Sequence, residues 1–369
     1  MWYVGMDVHL DTTAVSIRNA RGAITKRVVV PTSRSALRQS LRGIRGRARI
    51  ICESGPLAMW VRDTLETRLR DVVVCDRRRT RLTTSGAKTD GIDADRLSDL
   101  VRRDQVFAVN VPYGDAALLR RYAFHYARML RERSRIIQRL RSLFFEHGIR
   151  VQTHRSTPER VPLTRLTAPG AKYVARAYKR QLENASTLVS EARAELLHLA
   201  AQSPAFELLQ TVPYVGEVRA SELLAIVGDP SRFRSLRAFW SYSGLGVVQK
   251  LSSEHKVENG KAVREERTRG IRLRVGQPLL KTVLRDIALH ASIGRGHFRA
   301  VFEAHVARGK TPAVARVALA RKIAAVILAV WRSGVPFSEK KVKRCSRTRG
   351  EHRRISSASG VRAPRRSKN

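Results

Sequence analysis

Hydrophobic and polar positions in the first hundred residues follow strand spacing before they follow helix spacing. WYVGMDV (residues 2–8) is apolar and β-rich, TTAVSIRN (12–19) alternates, and Ala20-Arg21-Gly22 supplies a turn into ITKRVVV (24–30), so residues 2–30 predict three short strands. Thr32-Ser33 offers an N-cap to a basic helix ending near Gly43. ARIICES (48–54) is a fully apolar strand, Leu57–Arg70 an amphipathic helix, and DVVVCD (71–76) another buried strand. Residues 91–103 predict a helix with Ile92, Leu97, Leu100 and Val101 on its apolar side. Strands in series, then strands alternating with helices, point to a mixed sheet with helices packed on it, compatible with an RNase-H-like core.

From about residue 115 the period becomes helical. Tyr126, Leu130, Ile137, Leu140 and Phe144 form one stripe of a helix over 115–147, while Arg128, Arg131, Arg133, Arg135, Arg139 and Arg141 crowd its remaining surface. A loop over 150–170 carries Pro158, Pro162 and Pro169. A second long helix over about 171–201 places Val174, Tyr178, Leu182, Ala185, Val189, Leu196 and Leu199 near coiled-coil spacing, and the two helices predict a hairpin. LLQTVPYVGEVRASELLAIVGD (208–229) has the layout of helix, tight turn and helix, which presents backbone N–H groups near Gly216 to phosphate. The expected domains are 1–112, α/β; 113–202, a basic helical connector; 203–337, mainly α; and 338–369, a disordered tail with twelve Lys or Arg and two Glu.

Charge changes the picture most. Of 369 residues 72 are Lys or Arg and 31 Asp or Glu, a formal net charge of +41. Self-repulsion on that scale calls for a polyanionic partner, and nucleic acid is the usual one. Cys52 and Cys75 sit in apolar runs and Cys345 in the basic tail, without metal-ligand spacing, so buried free thiols in a reducing compartment are expected. The start lacks a signal-peptide layout, and the apolar run Ile323–Trp331 is about half a membrane span. These features predict a cytoplasmic, nucleoid-associated protein with no membrane partner.

Against this basic background four acids stand out by position: Asp7 ends the first strand, Glu53 the fourth, and Asp90 and Asp93 lie three apart at a helix start. Neighbouring first and fourth strands would bring Asp7 to Glu53, with the helix placing its pair above them. Gathered carboxylates repel one another unless a divalent cation neutralises them. Mg²⁺ (or Mn²⁺) suits such oxygen ligands, and two such ions can clamp the attacking and leaving oxygens of a phosphodiester. Taken singly, each acid is equally an ordinary helix-start or surface residue. His9 could tune the group or simply face solvent. Lys88, Arg128, Arg131, Arg135, Arg139, Gly216, Arg267, Arg269, Arg272 and Arg274 are candidate nucleic-acid contacts.

The stretches GMDVHLDT, ICESGPLAMW, GAKTDGIDADRLSDLVR, LLQTVPYVGEVRASELLAIVGDPSRF and FWSYSGLGVV, in this order, resemble the DEDD-type transposases of insertion sequence family 110, 1111 subgroup. The resemblance implies a RuvC-like domain in which Asp7, Glu53, Asp90 and Asp93 are the four family acids, a long helical connector, and a C-terminal transposase domain with a nucleophilic serine. Counting from Gly244-Leu245, that serine falls on Ser252, with Ser253 as alternate, since Ser-Ser stands where the family has Ser-Gly. Without the resemblance both would be ordinary loop serines. It further implies donor and target DNA, a structured noncoding guide RNA, and a homo-oligomer, dimer or tetramer. The rival functions are a Holliday-junction-type structure-selective nuclease using water as nucleophile and a non-enzymatic basic RNA-binding protein.

Overall fold

β1 (Trp2–Val8), β2 (Thr12–Arg18) and β3 (Ile24–Pro31) form an antiparallel meander from the three alternating runs. The turn into β3 places Gly22 at φ +89°, a conformation open to glycine. The computed structural model describes residues 1–76, 90–149, 162–258, 261–273 and 275–339, with residues 248–272 described by backbone alone. Lys88, Arg274, Cys345 and nearly all of the basic tail therefore lie outside the described residues. The chain divides into two compact units, Met1–Ala117 and Leu118–Asn369.

In the first unit β4 (Ala48–Glu53) runs parallel to β1, and β5 (Arg70–Cys75) parallel to β4, giving the order β3-β2-β1-β4-β5. The mixed sheet and the β1–β4 adjacency agree with the RNase-H-like expectation. Strand side chains alternate between faces. One face, with Val4, Met6, Ile50 and Cys52, packs under α1 (Arg34–Ser40, capped by Ser33) and α2 (Ala58–Leu65). The other face, with Tyr3 and Ile51, receives Leu97 and Val101 of α3 (Asp90–Arg102).

The register thus turns Met6 and Cys52 into the core and their successors, Asp7 and Glu53, to the α3 side. Gly5 allows the close approach: a Cβ there would lie 2.0 Å from the Ala94 carbonyl oxygen and 2.5 Å from the Ser98 nitrogen. Two predicted details change. α2 stops at Leu65 instead of Arg70, because Glu66 turns extended (ψ 131°) and Arg70 is already paired with Ala48 in the sheet. In α3 the buried positions are Ala94, Leu97, Ser98 and Val101, while Ile92 remains 36% exposed.

The second unit begins with two long antiparallel helices, α4 (Gly114–Glu146) and α5 (Pro169–Ala200). Ile136 meets Leu182 and Ala185, Phe144 meets Ala171 and Ala175, and the Arg133 guanidinium donates to the Ser186 hydroxyl at 3.1 Å. The alanines on the buried stripe of α5 let the backbones approach closely. Leu119, Ala123, Leu196 and Ala200 then join the main helical core. That core is built with α6 (Ala205–Gln210), α7 (Glu217–Val227), α8 (Leu236–Tyr242), α9 (Pro278–Ile293), α10 (His297–Ala307) and α11 (Pro312–Ser333). The turn between α6 and α7 holds Tyr214 at φ +69°, and its hydroxyl donates to the Arg295 carbonyl at 2.7 Å across Gly294.

A β-hairpin interrupts this helical unit where a loop was expected. β6 (Val247–Glu258) and β7 (Lys261–Leu273) pair antiparallel over almost their whole length. At its base Gly276 packs against Gly244, where a Cβ would sit 2.2 Å from a backbone nitrogen, and the Gln277 N–H donates to the Tyr242 carbonyl at 2.7 Å. No helix among the described residues is long and apolar enough to cross a membrane.

Candidate metal centre and nucleic-acid surfaces

The end of β1 and the start of α3 meet at a small polar group. Asp7, half-buried, accepts a hydrogen bond from His9 (Nε2 to Oδ2, 3.2 Å), and the same imidazole nitrogen lies 3.7 Å from Asp90 Oδ1. One ligand atom from each of Asp7, His9 and Asp90 falls within 4.8 Å of the others, and no other trio of potential ligands does so among the described residues. Burial pushes the Asp7 carboxyl above its ordinary range. His9 pulls it the other way, and the negative charges of Asp90 and Asp93 add to the rise.

Of the four predicted acids, Asp7 and Asp90 are gathered directly. Asp93 shares the first turn of α3 with Asp90 and is paired with Arg96 at 3.2 Å. Glu53 ends β4, one residue past the last β1–β4 pair, and neither it nor Asp93 belongs to the three-atom group. His9, set between tuning the group and facing solvent, is half exposed yet hydrogen-bonded into it.

The residues that hold α3 over the acids were not singled out in the sequence. Arg18 donates to Ser98 Oγ (2.8 Å) and to the Asp95 carbonyl (3.2 Å), and Arg27 pairs with the Asp95 carboxylate (2.8 Å). Burial raises the Asp95 carboxyl, but hydrogen bonds from Arg27 and Ser16 and the two arginine charges outweigh it and leave it below the usual range. The signal was available: Asp95 and Ser98 lie three apart on a helix face otherwise apolar.

The other predicted residues lie in the second unit. Arg128, Arg131, Arg135 and Arg139 are all exposed on α4, and their three- and four-residue spacing keeps them within an arc of about 80°. Gly216 is the exposed N-cap of α7, but Glu217 occupies the first turn and pairs with Arg193 at 3.2 Å, so the helix end already has a negative neighbour. Ser252 and Ser253 are not loop residues: they lie on β6, opposite Arg267 and Glu266 of β7. Arg272 stands opposite Val248, and Arg269 falls at the register shift between Lys250 and Leu251.

Comparison with known proteins places the chain. A family model described as transposase, of the DEDD type of insertion sequence 110, matches residues 4–147. A second, described as Transposase IS116/IS110/IS902 family, matches residues 206–302. Among curated relatives, the pilin gene-inverting proteins of Moraxella lacunata and Moraxella bovis are each 29% identical over 134 residues, 36% of this chain. The chain covers 38% of the length of each of them. With the two models spanning about two thirds of its length between them, the chain belongs to the IS116/IS110/IS902 family of transposases.

Proposed function

We propose that the chain cuts and rejoins DNA as the transposase or recombinase of an insertion sequence, using Asp7, Glu53, Asp90 and Asp93 to hold Mg²⁺ or Mn²⁺ and Ser252, or its neighbour Ser253, as nucleophile. The observation that carries this is the convergence of Asp7, His9 and Asp90 within 4.8 Å at the end of the central strand. Carboxylates that raise one another's affinity for protons, beside an imidazole nitrogen, suit a divalent cation. The relatives named for inverting a pilin gene favour the same chemistry, since inversion of a DNA segment requires breaking and resealing strands.

A divalent cation, when bound, supplies Lewis acidity toward a phosphate oxygen and neutralises the acids around it. The chain's own residues do the rest. The sheet fixes Asp7 and Glu53, α3 presents Asp90 and Asp93, and Arg96 restrains Asp93. Serine attacks a phosphodiester: an Oγ–P bond forms, the P–O bond to the departing strand breaks, and the serine proton ends on the released hydroxyl. Attack by another strand's hydroxyl reverses the step and rejoins DNA. Lys88, the α4 arginines, Gly216 and Arg267, Arg269, Arg272 and Arg274 are the proposed phosphate contacts. A structured noncoding RNA from the element selects the site, and a homo-oligomer brings donor and target DNA together.

The test is covalent trapping. Incubated with element-end DNA, the RNA transcribed from the element's flank, and Mg²⁺, the protein forms an adduct that survives denaturation. Chelation of the cation or Asp7→Asn lowers its yield on the order of 10²-fold or more, and Ser252→Ala with Ser253→Ala abolishes it. Cleavage that persists in the double serine variant would instead establish a water-using nuclease. Nucleic-acid binding with no cleavage in any metal would leave a binding protein.

A further inference from the structure

Within the second unit, α4, α5, α7 and α9 line an open cavity of about 780 Å³ that the proposed strand-cutting chemistry does not use. Its wall includes Glu222 of α7, only 8% exposed, which has no hydrogen-bond partner among the described residues. Burial, reinforced by the charge of Asp286, pushes this carboxyl up to about 7 although Arg219 pulls against it. The carboxylate is left to accept from whatever occupies the cavity.

The neighbours cannot serve. The Arg219 guanidinium donates to the Tyr214 carbonyl (2.8 Å), Arg193 pairs with Glu217, and neither bonds Glu222. The remaining lining is largely apolar and partly aromatic, with Phe124, Tyr126 and Leu279 facing the same space, and Arg131 beside them.

A ligand that fits has flat apolar faces, two donors on one edge for a single carboxylate, and a negative group for the arginines. A simple cation would meet Arg131, Arg193 and Arg219 as well as Glu217, Glu222 and Asp286 in the same wall, and it supplies neither flat faces nor hydrogen-bond donors. Guanine meets all three conditions as part of a nucleotide: its N1–H and 2-amino group point together, where adenine and cytosine set a donor beside an acceptor. We propose that this cavity takes an unstacked guanine of a single-stranded nucleic acid, with the Glu222 carboxylate accepting from N1–H and the 2-amino group. The proposal rests on nucleic acid being the partner of this basic chain, and not on the carboxylate group of the first unit.

The full chain is titrated calorimetrically at low salt with GMP, IMP, AMP, CMP and UMP, and separately with duplex DNA. Expected is binding of GMP at least about tenfold tighter than AMP, CMP or UMP, the range of one two-pronged base contact. IMP, which lacks the 2-amino group, falls between. Glu222→Gln, which keeps shape and removes the buried charge, loses the guanine preference while its far-UV circular dichroism and duplex affinity hold. Equal affinity for all nucleotides, a guanine preference that survives Glu222→Gln, or duplex binding without any GMP binding at millimolar concentration would each overturn the cavity assignment. Failure to bind duplex DNA or any nucleotide would overturn the nucleic-acid partner with it.

Discussion

Burial pushes two single side chains the same way here, with opposite consequences. The Cys52 thiol, enclosed between the sheet and its helices, is pushed up to about 12 by burial, with Cys75 and Glu53 adding to the rise, and so stays a neutral, inert thiol. Glu222 is instead poised to titrate in the neutral range. Unfolded, it gives up its proton near 4.5; folded, it keeps it to about 7. Between those values the folded state binds more protons, so its contribution is fully present below 4.5 and is lost as pH rises through about 7. Urea unfolding across that window should show Glu222→Gln and the parent chain equal at acid pH, with the variant gaining on the order of 2 kcal/mol by about pH 8. Parallel stability curves would show that the carboxyl is not held in its neutral form.

At the scale of elements, the contact of α3 with β1 decides where the acids stand, and Gly5 permits it. A methyl group at residue 5 meets backbone on α3 that cannot yield without moving the helix. Gly5→Ala should therefore destabilise the first unit by at least about 2 kcal/mol and weaken Mn²⁺ binding measured by titration; a variant as stable as the parent would show that α3 sits farther off. The sheet was legible because its strands alternate or run apolar between turn residues, and the β1–β4 adjacency was expected from an RNase-H-like strand order. The role of His9 was not, since it depends on α3 arriving over a residue just beyond the strand end. The β6–β7 hairpin was missed because charged residues fill positions such as Glu254, Lys256, Glu265 and Arg267, leaving little apolar alternation. The signal that could have found it was Asn259-Gly260, lying in sequence between the paired Glu258 and Lys261. Gly244 and Gly276, which approach at its base, are 32 positions apart and looked like loop residues.

For the molecule as a whole, the +41 charge favours polyanions at long range, and the four-arginine stripe on α4 is among the phosphate contacts proposed above. Replacing Arg128, Arg131, Arg135 and Arg139 together by Gln should flatten the plot of log affinity against log salt for duplex DNA by roughly 0.9 for each phosphate no longer neutralised. Anisotropy titrations over a salt series measure this, and an unchanged slope would assign phosphate binding to other residues. The parallel pairing of β1 with β4, and the seat of α3 on both, also fixes an order of events during synthesis. Asp7 leaves the ribosome early, yet its partner Asp90 follows 83 residues later, and the helix is complete only at Arg102. A nascent or prematurely ended chain lacking that helix has Asp7 without Asp90 beside it, so on the proposed function any capacity to cut DNA arrives only with the finished fold.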